Sequence, residues 1–354
     1  MESLSKIPGG MRYFFGAEAR LRRAVEDACM GVFDGWGYEE IATPLVDYYA
    51  LFERGMGRAE AHRAFRFTDT DGRMLALRLD VTSSVARAAA TLFAERERPL
   101  RLCYAAPVFR QRPRTHAEWR RESMHAGCEL IGAGGHEADL EVLRIASEVL
   151  ERLGLPRGSC RVTLNHVEVF NGLAEELGLD PEAREQLRLL VDRRDDAGLR
   201  AFLAAQAPAV ALSLRLTRLV GGREILGEAR RRLSNARSSA ALDALEQLWT
   251  ALERFGLADS FDIDLGDVSG LDYYTGLVFK IYAAGAGARV GSGGRYDELT
   301  ANFGRREPAV GFVFDLDSLT DLLARRERGP GDGGEESKKN DEGARLRQTS
   351  RNDG

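Results

Sequence analysis

A chain of 354 residues with 44% hydrophobic content can bury one large core or two ordinary ones, and its length suggests two domains. Its net charge of −5 argues against a protein whose main task is gripping nucleic acid, which needs clustered Lys and Arg to displace counterions. With no stretch of about 18 uncharged apolar residues and no apolar signal core in residues 1–10, the expectation is a cytoplasmic protein without a membrane segment. The four cysteines, Cys29, Cys103, Cys128 and Cys160, have no C-x-x-C spacing, so neither a metal nor a disulfide role is expected.

Residues 5–13 read as an irregular lead-in, and Leu21, Val25, Ala28 and Val32 recur at helical intervals across Ala17–Phe33. A short strand at Gly37–Ile41 is ended by Thr43-Pro44, and a second helix is expected over Val46–Glu53. Ala64–Leu79 has the pattern of a hairpin with Asp71-Gly72 at its turn. It delivers Asp80-Val81-Thr82 to the start of an Ala-rich helix, Ser83–Phe93. There Asp80 and Thr82 can cap the helix, or a carboxylate and a hydroxyl can grip a ligand's ammonium group; the two roles are compatible.

Next come a strand over Leu100–Arg110, an Arg-rich polar loop to Arg121, and a strand over Glu122–Gly132. A helix is expected at Asp139–Leu153 and a strand at Cys160–His166. Residues 167–257 then read as charged helices without a convincing strand, an inserted helical subdomain between core segments 1–166 and 258–325. Glu298 and His136 read as solvated residues, and His166 as a local hydrogen-bonder. In the last part, Ser269-Gly270-Leu271-Asp272-Tyr273-Tyr274-Thr275-Gly276 precedes the apolar run Leu277–Tyr282 and a glycine-dense turn, Gly291-Ser292-Gly293-Gly294-Arg295, forming a pocket floor where a ligand can approach bare backbone. A strand over Ala309–Phe314 and a helix over Asp315–Leu323 close the core. Residues 326–354 are of low complexity and expected to be disordered.

The order and interval of the two Gly-rich segments resemble the signature of histidyl-tRNA synthetases, a class II aminoacyl-tRNA synthetase family. The resemblance covers roughly residues 5–325. It implies an α+β fold: a class II synthetase-like antiparallel sheet flanked by helices, with the inserted helical subdomain. Helix, strand and proline at the N-terminus resemble the first class II motif, which in that family forms the dimer interface. Strand, loop and strand around Arg110 resemble the second. By that resemblance Arg110 matches the arginine at the α-phosphate and carboxylate, and Glu129 the residue that recognises imidazole. His125 stands where synthetases usually carry Gln. The histidine-binding set implied is Asp80, Thr82, Arg110, His125, Glu129, Tyr273, Tyr274 and Gly293.

Four departures bear on function. Ser269 stands where the synthetases place an essential arginine, and Ser318 where a second arginine contacts ATP, with Asp315 nearby to repel a polyphosphate. The glutamate two residues after the motif-two arginine is absent from Arg110-Gln111-Arg112-Pro113, and no anticodon-binding domain of about a hundred residues follows the core. Losing one such cation typically costs about 100-fold to 1,000-fold in rate. A chain that keeps the amino-acid pocket without the ATP clamps is similar to the regulatory subunits of ATP phosphoribosyltransferase. That resemblance implies a non-catalytic subunit without a cofactor, required for the first step of L-histidine biosynthesis and for feedback by histidine. Its partners would be a short-form catalytic subunit and L-histidine as effector, in a homodimer within a hetero-oligomer. The surface of residues 39–58 and the loop 112–120 are the expected contacts with the catalytic partner. The competing readings are a truncated histidyl-tRNA synthetase with residual adenylation and an RNA-binding module built on the Arg-rich loop.

Overall fold

The computed structural model describes residues 5–111, 120–206, 218–233, 235–268 and 273–328. The expectations placed on Ser269, on the loop residues 112–119 and on the tail from residue 329 lie outside these. In chain order come α1 (Gly16–Gly35), β1 (Glu39–Glu40), β2 (Val46–Tyr48), α2 (Tyr49–Met56), α3 (Arg58–Ala61), β3 (Arg66–Thr68) and β4 (Met74–Leu77). Then follow α4 (Thr82–Ala90), β5 (Leu100–Phe109), β6 (Glu122–Ile131), α5 (Gly135–Arg152) and β7 (Cys160–His166). Residues 167–257 contribute α6 (Val167–Glu176), α7 (Pro181–Asp192), α8 (Asp196–Gln206), β8 (Val220–Gly221), α9 (Glu224–Arg230) and α10 (Ala236–Arg254). β9 (Phe261–Asp264), β10 (Leu277–Ala283), β11 (Gly291–Arg295), β12 (Ala309–Asp315) and α11 (Leu316–Arg328) complete the fold.

Nine strands form one sheet in the order β1-β5-β6-β12-β11-β10-β7-β9-β8, and β2-β4-β3 form a small second sheet. The large sheet is antiparallel from β5 through β7, with parallel pairing at β1 to β5 and β7 to β9. Alternation along each strand divides its two faces. On β6, Ala126, Cys128 and Leu130 pack with Phe312 and Phe314 of β12 in a cluster that includes Phe33 of α1 and Leu143 of α5. The intervening His125 and Glu129 therefore point to the opposite face. There Val85 of α4, Tyr104, Val108 and Tyr296 form a second cluster. The first cluster continues without a break into Leu173 of α6 and Leu245 of α10. All four cysteines are buried as free thiols.

Residues 326–328, expected in the tail, form the end of α11, a helix anchored in the core by Leu319 and Leu322; four further expectations are corrected. Val46–Tyr48 is a strand, because it pairs with β4 and its Asp47 turns inward to receive the Arg87 guanidinium. The helix expected from Asp139 begins at Gly135, so that Ala138 too joins its buried face. The insert holds the two-residue strand β8, which extends the sheet edge beside β9.

The fourth concerns Gly291–Arg295, which is no turn but a strand inside the sheet, paired on both sides. Its glycines are there for want of room: a Cβ on Gly293 would lie 2.5 Å from Phe312 Cβ, and one on Gly294 2.5 Å from the Leu277 carbonyl. Overpacking of this kind typically costs about 1–3 kcal/mol. Gly293→Ala should therefore lower the unfolding free energy by that amount, seen as a lower urea midpoint at unchanged slope; an unshifted midpoint would contradict the account.

Candidate functional site

A cavity of about 160 Å³ opens on the face of the sheet opposite α1 and α5, bounded by residues from β5, β6, β10 and β11 and by the start of α4. Seven of the eight residues singled out in the sequence line it: Asp80, Thr82, Arg110, His125, Tyr273, Tyr274 and Gly293. The eighth, Glu129, is 1% exposed and lies beneath them. Its Oε1 accepts hydrogen bonds from Thr82 Oγ1 at 2.7 Å and from the Tyr104 hydroxyl at 3.3 Å, while its Oε2 accepts from the Tyr296 hydroxyl. Three hydroxyls thus hold a carboxylate that has no cation bonded to it among the described residues. Burial, the largest influence, still raises its pKa to about 7.

Asp80 is placed by the passage from β4 into α4. Val81, not Asp80 or Thr82, stands at the N-cap position, and Thr82 is the first helical residue. Asp80 Oδ2 accepts from the Ser83 hydroxyl at 3.3 Å, but Oδ1 is buried without a hydrogen-bond partner among the described residues. Burial raises the carboxyl to about 6, against the lowering influence of Ser83 and Arg110. A buried, unpartnered carboxylate oxygen is costly unless a donor arrives. His125 is held neutral, its pKa driven well below the usual value first by burial and then by Arg110, Arg289 and Arg78. It therefore offers a ligand one ring donor and one acceptor. Tyr273 and Tyr274 meet edge to face, their ring centres 4.8 Å apart, and Tyr273 stacks in the same way on Tyr296.

The charges around the cavity are largely settled in pairs. Arg63 bonds Glu60 at 2.6 Å, and Lys280 pairs with Asp267. At the position of the synthetases' second arginine, Ser318 accepts from Arg120 at 3.3 Å and donates its amide to Asp315 Oδ1 at 2.9 Å. Arg120 is itself bound to Asp321, so the cation at this corner is tied to a carboxylate. Arg289 was not singled out by sequence reasoning. It lines the cavity from the link between β10 and β11, where a lone cation among Ala and Gly was the signal available. His166 caps α6 by accepting the Glu168 amide, and the exposed Glu298 pairs with Arg306. Among the described residues, no group of three His, Cys, Asp or Glu is placed to hold a metal ion, and no helix is long and apolar enough to cross a membrane.

Residues 10–319 match the histidyl-tRNA synthetase family. A relative from Moorella thermoacetica, an ATP phosphoribosyltransferase regulatory subunit, is 39% identical over 92% of this chain and 83% of its own length. The chain belongs to the ATP phosphoribosyltransferase regulatory subunit family. Its relative of the same name from Geobacter metallireducens is 36% identical over 90% of this chain and 74% of its own. A crystal structure from Bacillus halodurans, titled an ATP phosphoribosyltransferase regulatory subunit/histidyl-tRNA synthetase, superimposes with a TM-score of 0.83 at 30% identity. It covers 91% of this chain and 84% of that one. The class II α+β fold expected from the sequence is thereby established for this member of the regulatory-subunit family.

The site's buried carboxyls give a test in solution. Glu129 has its pKa raised by folding, so the stability it contributes is full below its unfolded value of about 4 and is lost as pH rises through about 7. The stability of the wild type relative to Glu129→Gln should therefore grow as pH falls from 8 to 5, with His125 and His166 affecting both proteins alike. Urea midpoints whose difference stays constant over that range would exclude this role.

Proposed function

We propose that this chain is a non-catalytic, histidine-responsive subunit. It joins a short-form ATP phosphoribosyltransferase catalytic subunit in the first step of L-histidine biosynthesis, in the cytoplasm, as a homodimer within a hetero-oligomer. The observation that carries the reading is the unpartnered Asp80 Oδ1 in a cavity that also holds Arg110 and Arg289. A carboxylate awaiting a donor suits an α-ammonium group, and guanidinium groups suit an α-carboxylate. Neutral His125 and the two tyrosines complete a lining suited to a small planar side chain.

The same lining speaks against adenylation. The phosphate corner has a serine hydroxyl at residue 318, and its nearby cation is bonded to Asp321. Transition-state cations that are committed elsewhere stabilise no developing charge. Feedback requires that histidine bind one state of the complex better than another, for which a coupling of about 1–3 kcal/mol suffices. Contact with the catalytic partner through residues 39–58 is supported by the exposed apolar side chains of Leu45, Val46 and Tyr48 on that stretch.

The decisive experiment mixes the chain with a short-form catalytic subunit and follows phosphoribosyl-ATP formation with and without L-histidine. Formation should depend on the chain, and histidine should suppress it. Asp80→Asn should weaken histidine binding, measured by calorimetry, by about tenfold or more, since a charge-assisted bond is lost. Histidine-dependent pyrophosphate exchange by the purified chain would instead establish the adenylating enzyme.

A further inference from the structure

A second cavity, of about 430 Å³, lies between the sheet and the insert helices α6 and α7. Phe170 of α6, Val268 and Val278 give it apolar walls, and α7 presents Arg184 and Arg188 to it. These two are four residues apart, so they share one helical face. The charges at this cleft are unevenly satisfied. Arg188 is bonded to Glu185 at 2.6 Å and Asp267 is paired with Lys280. Arg184 bonds Asn171, a neutral side chain, and has no carboxylate partner among the described residues. Asn171 is in turn fixed by donating to Glu168 at 2.6 Å. A guanidinium steadied by a neutral amide at the mouth of an apolar cleft retains its affinity for anionic oxygens.

We propose that this cleft is a second ligand site, for a small organic anion with an apolar body. Arg184 holds the charged group, whether carboxylate, sulfonate or phosphate, and the body lies against Phe170, Val268 and Tyr274. The location gives the site a consequence. Tyr274, Asp267 and Val278 stand in the walls of both cavities, so an occupant here bears on a ring that frames the first pocket. Resting on the amino-acid reading of that pocket, the two ligands then change each other's affinity by the same factor.

Fluorescence titration of the full chain with 8-anilinonaphthalene-1-sulfonate, an apolar-bodied anion, tests the site. Saturable binding is expected, weakened about tenfold or more by Arg184→Glu and largely retained by Arg184→Lys. Arg184 is exposed, and thermal melts of both variants check that the fold is intact. Equal dye affinity in wild type and Arg184→Glu would overturn the proposal. So would dye that L-histidine displaces while Arg184→Glu leaves it in place, because it then occupies the first pocket. Histidine affinity measured with and without the dye tests the coupling, and identical values would overturn that part alone. A chain that binds dye through Arg184 but no histidine would support the second site and refute the amino-acid reading of the first.

Discussion

One buried carboxylate ties together the elements that make this pocket. Glu129, on β6 between β5 and β12, takes hydrogen bonds from Thr82 on α4, Tyr104 on β5 and Tyr296 just beyond β11. Removing a charge from water without a counter-ion is expensive, and three hydroxyl donors offset only part of that cost. What such a network supplies is definition: the donors must come from these elements at these positions for the carboxylate to be satisfied. The neighbouring strand has to make way for it. A Cβ on Gly311 would collide with the Glu129 carboxylate, and one on Gly127 would fall 2.7 Å from the Tyr104 hydroxyl. Gly127 of β6 and Gly311 of β12 are therefore the space into which the polar network is packed.

Above that network the cavity is lined by groups of both signs. Asp80 brings an unsatisfied oxygen, His125 is neutral by burial, and most remaining charges around the cavity are paired within the protein. Arg120 is informative here. It lines the cavity beside Ser318, yet it is tied to Asp321, which also receives Arg12 from the N-terminal segment. Arg120 and Arg12 are thereby used to fasten α11 and the lead-in segment to the sheet. Arg22 and the Met124 amide fasten α11 again, through Asp317.

Residues 167–257 are joined to the sheet by packing and by shared walls. Helix α6 begins directly at the end of β7, capped by His166, and the apolar cluster behind the sheet runs into α6 and α10. On the ligand side, Tyr274 stands between the two cavities. A rigid ring in that position couples whatever enters one side to the shape of the other, since packed interiors shift between discrete arrangements and do not deform smoothly.

Much of the fold was legible in the chain. The long strands β5, β6, β7 and β12 and the helices α1 and α10 follow from alternation and helical periodicity, and seven of the eight residues singled out in the sequence line one cavity. Val46–Tyr48 and the glycine strand were misread because their conformation is imposed by partners far along the chain: β4 for the first, β10 and β12 for the second. The engagement of Glu129 by hydroxyls was invisible for the same reason, since its donors come from α4, β5 and the end of β11. By itself the sequence determined which chemical groups this protein possesses and which faces of its elements are apolar, because those depend on side-chain type and local period. Only the tertiary structure decided which charges are spent on one another and which are left facing a cavity, because pairing depends on distances across the sheet that no local pattern encodes.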